Sequence, residues 1–250
     1  MNTRVKTSEE IVSIRKSGQI LAEILAVLIK ATKPGVTTKQ IDELAAKELK
    51  LRSAKAAFLG YGGFPASICI SINNEIVHGI PSSRVIKQGD LVGLDFGVTY
   101  EGMITDSAVT VAVGEISDAA HNLLDYTQRA LQAGIAVLKD GVRVGDIGQA
   151  IGDTLEKGGL KVIETLGGHG VGHQVHEEPY ISNFGSAGTG QVLRAGMTIA
   201  LEPIASIGTH ETHLADDGWT YLTSDKSLSA QFEHTILITK NGAEIITELH

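Results

Sequence analysis

The feature that most limits what this chain can fold into is a repeat of its own pattern. Gly89-Asp90-Leu91-Val92-Gly93-Leu94-Asp95 returns as Gly196-Met197-Thr198-Ile199-Ala200-Leu201-Glu202: a turn glycine, an apolar run and a closing carboxylate. Pro34-Gly35-Val36 followed by Ile41 returns as Asp140-Gly141-Val142 followed by Ile147, and the two offsets agree to within one residue. Coincidence among common Gly and Val/Leu patterns is the alternative, which two echoes at nearly one spacing disfavour. Each half, about 8–114 and about 115–240, then supplies a long helix, a short helix and strands ending on an acidic residue. A two-fold-like packing of the halves would bring Asp95 and Glu202 to one central place.

Ser8 reads as a helix N-cap with Glu9 and Glu10 in the first turn. Ile11, Ile14, Ile20, Leu21, Ile24, Leu25 and Leu28 follow at helical spacing until Lys33-Pro34-Gly35. Thr38 to Leu51 predicts a second helix, Ser67 to Ser71 a strand, and Asn73-Asn74 a turn into Ile76-Val77-His78. The run through Asp95 reverses at Tyr100-Glu101-Gly102 and returns from Asp106 to Val113, so Asp95 and Asp106 fall near each other across a hairpin, give or take a bulge. Ser117 to Leu138 and Val144 to Glu156 predict two more helices. Helices alternating with hairpins point to an α+β chain whose helices cover one face of a largely antiparallel sheet. No Pro-, Gly- or Ser-rich linker parts the halves, so residues 1–250 are read as one domain.

A net charge of −8 argues against a nucleic-acid-binding surface. Cys69 stands alone, which excludes an intramolecular disulfide and suits a reducing compartment. Met1 to Lys6 runs straight into the helical pattern without the form of a signal peptide. No apolar run approaches the roughly 20 residues that span a bilayer. The expected location is the cytoplasm.

The chemistry begins at Gln231-Phe232-Glu233-His234, which leads into the strand-like Thr235-Ile236-Leu237-Ile238-Thr239. A carboxylate in such a setting is costly unless it is paired or bound to a metal. Asp95, Asp106, His169 and Glu202 are the candidate partners, each inside an apolar or Gly-rich segment. Imidazole and carboxylate together suit Mn, Fe, Co or Zn. Four carboxylates are too negative for one such ion, whereas two ions about 3.5–4 Å apart balance them. Each residue also has a plainer reading: Asp106 capping a turn, Glu233 bridging to His234 or a lysine, His176 capping backbone, Cys69 packing as a small hydrophobe, Trp219 anchoring core or loop. His173, His210 and His213 read as exposed, and Asp216-Asp217-Gly218 as a turn lacking calcium-loop spacing.

Gly168-His169-Gly170, His176-Glu177-Glu178-Pro179, Leu201-Glu202-Pro203 and Ser229-Ala230-Gln231-Phe232-Glu233-His234, together with Asp95 and Asp106, resemble the methionine aminopeptidases of peptidase family M24, with their pita-bread fold. The likeness runs from about Ser8 to the C-terminus. The short step from Glu202 to Glu233 leaves no room for the helical insertion of type II enzymes. The start lacks the zinc-binding extension of eukaryotic type I forms, so the likeness is to a bacterial-style type I enzyme.

The resemblance implies that Asp106 and Glu233 bridge two divalent ions, with Asp95 completing one shell and His169 with Glu202 the other. A water between the ions then attacks the scissile carbonyl, with Glu202 as general base and His176 donating to the oxyanion. His78 bonds the substrate near the scissile nitrogen, and the free α-amine lies beside one ion. Tyr61, Phe64, Cys69, His78 and Trp219 match the family's methionine pocket. Phe64 lacks the hydroxyl many relatives carry there, and Val175 replaces a frequent Phe. Main-chain oxygens near Asn73, Glu75 and Ser229 match a sodium or potassium site. The implied substrate is the initiator methionine of a nascent chain before a small uncharged residue. A monomer is implied, with transient ribosome association and neither membrane nor direct nucleic-acid contact. Competing readings are a proline-specific peptidase on the same fold, and a non-catalytic module that holds protein termini, histones or RNA.

Overall fold

The computed structural model describes residues 4–249, so residues 1–3 of the Met1–Lys6 stretch lie outside it. Helix α1 (Ser8–Ala31) is capped by Thr7, not Ser8. The Thr7 hydroxyl accepts from the Glu10 N–H, and Glu10 answers by accepting from the Thr7 N–H. Helix α2 (Thr38–Leu51) has the predicted ends. Strands β1 (Lys55–Ala56), β2 (Cys69–Ile72), β3 (Glu75–Val77), β4 (Leu91–Tyr100) and β5 (Met103–Ala112) complete the first half. The second half opens with α3 (Asp118–Ala136), capped by Ser117, and α4 (Val144–Lys157). Ten strands follow: β6 (Lys161–Val162), β7 (Gly167–Gly170), β8 (Glu177–Ser182), β9 (Thr198–Leu201), β10 (Ile204–Ser206), β11 (Thr212–Leu214), β12 (Tyr221–Thr223), β13 (Ser229–Gln231), β14 (His234–Ile238) and β15 (Ala243–Ile245).

Every strand pairing among the described residues is antiparallel. β4 pairs with β5 along its full length and with β1 and β2 on its other edge. A five-stranded sheet runs β15-β14-β9-β7-β8, and two three-stranded sheets lie beside them. Each half buries its own helix pair on its own sheet. Leu21, Ile24, Leu28, Ile41 and Leu49 of α1 and α2 pack on Val92, Leu94, Phe96 and Val98. Leu123, Leu131, Ile147, Ile151 and Leu155 of α3 and α4 pack on Ile199, Leu201, Ile236 and Ile238.

The echo in the sequence is an echo in backbone geometry. Gly35 and Gly141 hold φ of 90° and 88°, a left-handed turn that favours glycine. Each N–H donates at 2.9 Å to an equivalent carbonyl, Ile86 in one half and Leu193 in the other. The isolated bridges Thr37–Val85 and Arg143–Val192 repeat the same contact. The halves meet where β5 runs beside residues 231–235. Glu233 N–H donates to Ala108 O at 2.8 Å, and three hydroxyls stitch the seam: Ser107 to Glu233 O, Thr110 to Gln231 O and Thr235 to Asp106 O.

Candidate active site

Strand alternation decides which side chains reach the seam. On β4, Val92, Leu94, Phe96 and Val98 face the helices, so Asp95 faces the other way. The β4–β5 ladder is regular, with Asp95 opposite Ala108 and Asp106 opposite Gly97. The two aspartates therefore share a face as diagonal neighbours, with no bulge between them. On β9, Ile199 and Leu201 take the helix side, leaving Ala200 and the following Glu202 on the site side. His169 sits opposite Ala200, and Thr235 opposite Ala200 on the far edge, which places Glu233 on that same face.

All five predicted ligands line one pocket, whose empty space of about 530 Å³ includes the solvent at its mouth. Ligand atoms of Asp106, His169 and Glu233 lie within 4.8 Å of one another, and His169 Nε2 is 3.5 Å from Glu202 Oε1. Asp95 Oδ1, Asp106 Oδ1 and Glu233 Oε1 are buried without a hydrogen-bond partner. Among the described residues, no lysine or arginine pairs with any of the four carboxylates. His234, a candidate partner for Glu233, bonds Thr247 instead.

Burial shifts the protonation of every candidate ligand. Burial raises Asp106 to about 7, and burial with mutual repulsion lifts Asp95, Glu202 and Glu233 well above the usual carboxylate range. Burial, and then repulsion from His176, lowers His169 to about 3, so its ring is neutral. His169 Nδ1 lies 3.0 Å from Gly170 O, a contact that fixes its proton there and leaves Nε2 free to bind a metal. Orphaned buried oxygens, an oriented imidazole and uncompensated negative charge make a donor set that fits divalent metal.

The same pocket is walled by Phe58, Tyr61, Phe64, Cys69, His78, Val175, His176 and Trp219. Tyr61, Phe64, Cys69, His78 and Trp219, the pocket residues expected from the sequence, thus line one hollow. Phe64 meets Trp219 edge-on at 5.2 Å between ring centroids, and Cys69 and Phe64 are buried. His176 packs edge-on to His169 at 4.3 Å, with its Nδ1 3.0 Å from the Tyr61 hydroxyl. His78 has φ of 60° and packs against Tyr221; burial and His176 lower it to about 4. A second, more open hollow shares His78, His169, His176 and Glu202 with the first and continues along Thr165, Gly167 and Tyr180.

Two residues beside the candidate ligands or in the pocket wall escaped sequence reasoning. Gln231 sends its side-chain N–H to Glu202 at 3.1 Å and toward Glu233 at 3.5 Å. It stands two residues before Glu233, and that spacing could have flagged it. Phe58 had no such signal. His173 is not free: its Nε2 lies 2.7 Å from Glu10 Oε1. His210 and His213 are exposed, and Asp217 closes a turn by accepting from the Trp219 and Thr220 N–H groups, as expected. Asn73 O and Glu75 O converge on the Ser229 hydroxyl at 3.1 and 3.2 Å.

Residues 12–240 match the description of metallopeptidase family M24. A methionine aminopeptidase of Aquifex aeolicus (strain VF5) is 48% identical over the whole of both chains. Methionine aminopeptidase 1 of Bacillus subtilis is 41% identical over 98% of each. A solved methionine aminopeptidase structure from Thermotoga maritima superposes with a TM-score of 0.97 at 44% identity, covering 98% of this chain and 99% of that one. A prolidase from Pyrococcus furiosus, 23% identical with a TM-score of 0.78 over 98% of this chain and 66% of that one, shares the fold.

Proposed function

The chain belongs to metallopeptidase family M24 and has its pita-bread fold, and from that premise we propose that it is an aminopeptidase that removes N-terminal methionine from new polypeptides before a small uncharged residue. The observation that carries this is the pair of hollows meeting at His78, His169, His176 and Glu202. One is the less open hollow, with Phe58, Tyr61, Phe64 and Trp219 in its wall; the other is more open and leads away. A peptide lying across that junction puts its first side chain in the aromatic-walled hollow and the rest of its chain along the other, which is the geometry of an exopeptidase.

Asp95, Asp106, His169, Glu202 and Glu233 would hold two divalent ions, which would supply Lewis-acid activation of water and of the scissile carbonyl. Glu202, at the junction and raised in pKa, receives the proton the nucleophile loses. His176, neutral and open to the junction, donates through Nε2 to the oxygen on which charge develops. His78 lines the same junction and hydrogen-bonds the substrate near the scissile nitrogen. Phe64, Cys69, Trp219 and the Tyr61 ring enclose the methionine thioether, which suits polarizable and aromatic neighbours. A sodium or potassium ion beside Asn73, Glu75 and Ser229 and a single catalytic domain over residues 1–250 complete the reading.

The test is release of methionine from Met-Ala- and Met-Gly-led peptides against Met-Lys and Xaa-Pro controls, with metal-stripped protein reloaded with Mn, Fe, Co or Zn in turn. Metal-dependent release confined to small second residues is the expected result, with Glu202→Gln slower by orders of magnitude. Cleavage before proline would replace the substrate class, and no cleavage with any metal would leave only a binding role.

A further inference from the structure

His176 rides on a turn, residues 171–177, that is fastened by the start of the chain. We infer that Lys6 is a positioning residue for His176, acting through Glu177; the inference rests on the aminopeptidase reading above. Lys6 Nζ stands 3.0 Å from Glu177 Oε2, with side chains 0% and 4% exposed. The other oxygen, Oε1, accepts from the backbone N–H of His173 at 2.6 Å and of Gln174 at 3.2 Å. The residue that follows His176 thus closes the turn from within, and the ammonium decides which of its oxygens faces the amides.

Lys6 is itself anchored. Its N–H donates to Gly196 O at 2.8 Å, and its side chain lies against Gly172, where φ is 145° and an added Cβ would collide with the lysine Cε. A second tie comes from α1. Glu10 accepts from the Thr7 N–H at 2.8 Å through one oxygen and meets His173 Nε2 at 2.7 Å through the other. On its far side the turn is held by the Ile104 N–H, which donates to Gly172 O at 2.7 Å. The N-terminal segment therefore grips the turn at Gly172, His173 and Glu177, and His176 lies inside that span.

The physics of a buried ion pair makes this arrangement conditional on Lys6. A buried carboxylate deprived of its cation is strongly unfavourable and turns toward water. The His173 and Gln174 amides then lose their acceptor, and the turn relaxes. A shift of about 1 Å in a positioning group is enough to slow a reaction about 100-fold. Asp95 on β4, Asp106 on β5, His169 on β7, Glu202 just after β9 and Glu233 just before β14 lie outside the turn, so the ligand set keeps its geometry.

The test is Lys6→Met, which fills the same space without charge, together with Lys6→Met/Glu177→Gln, which restores a neutral acceptor for both amides. In Lys6→Met, kcat on a Met-Ala-led peptide should fall about tenfold or more, with KM and the calorimetric Kd for Mn²⁺ within about twofold. The double variant should recover most of that kcat. An unchanged kcat in Lys6→Met overturns the inference, and so does a loss of kcat matched by an equal loss of Mn²⁺ affinity. Should Lys6→Met fail to fold, the double variant decides: restored turnover supports the inference, and a folded double variant with low kcat overturns it. Wild-type protein without turnover on any Met-led peptide would instead sink the aminopeptidase reading, and this inference with it.

Discussion

The Tyr61 hydroxyl lies 3.0 Å from Nδ1 of His176, so one residue both walls the apolar pocket and holds the histidine at its mouth. Tyr61 belongs to a single 3-10 turn, residues Tyr61–Gly63, in which Gly62 and Gly63 both have positive φ. A hydroxyl donating to Nδ1 puts the ring proton on Nε2, where it can be given to a carbonyl oxygen. Tyr61→Phe keeps the wall and deletes only this bond. It should lower kcat about 2- to 10-fold, the worth of one ordinary hydrogen bond, with KM within about twofold. Tyr61→Ala should raise KM as well. Steady-state kinetics on a Met-Ala-led peptide separates the two, and a Tyr61→Phe enzyme with wild-type kcat would show the hydroxyl to be idle.

The carboxylate cluster makes the benefit of metal depend on pH. In the metal-free fold, Asp106 keeps its proton up to about 7 against 3.8 for the ordinary side chain. Stability from that raised pKa is fully present below the ordinary value and is lost as pH rises through about 7. Mn²⁺ replaces those protons, so the rise in Tm it produces should grow between about pH 5.5 and pH 7.5. Calorimetric scans of stripped and reloaded protein across that range check it; an increment that shrinks with pH would count against the ligand set.

Gly168 sits on β7 beside His169, where an added Cβ would collide with the Ala200 carbonyl oxygen of β9. Gly168→Ala should push the two strands apart and cost about 1–3 kcal/mol of stability, as overpacking does. Because His169 lies on one strand and Glu202 directly follows the other, Mn²⁺ should bind more weakly too. Titration calorimetry measures this; unchanged affinity would mean that the ligands adjust independently of the strand spacing.

Burial, followed by the negative charge of Asp95, Asp106 and Glu233, pushes the Cys69 thiol well above its usual pKa. The thiolate is the reactive form. Native protein should therefore react with a disulfide reagent at pH 7.5 far more slowly than the same chain in denaturant. Rapid labelling of the native state would reveal a pocket that opens more often than its packing suggests.

Local pattern was enough for most of the frame. Apolar spacing located α2 to the residue, and the recurrence of Pro34-Gly35-Val36 at Asp140-Gly141-Val142 carried over into matched turns at Gly35 and Gly141. The five carboxylate and imidazole candidates were legible because each stands out as polar within an apolar or glycine-rich segment. What escaped depends on partners distant in the chain. His173 looked solvated because nothing in its neighbourhood hints at Glu10, which arrives from the other half. Ser8 looked like a cap because it and Thr7 are chemically alike at that position, and only the reciprocal bonds with Glu10 select Thr7. Lys6 and Glu177 are ordinary surface types until folding buries both.

The hydroxyl seam between β5 and residues 231–235 also sets a timetable. In synthesis the β4–β5 hairpin is made early, and Asp95 and Asp106 then wait while nearly all of the second half is translated. Only when Gln231 to Thr235 emerge do Ser107, Thr110 and Asp106 find their partners and Glu233 come alongside. A catalyst built in this order is inert until its own translation is almost complete, and a prematurely released fragment carries an unclosed hairpin in place of a working centre.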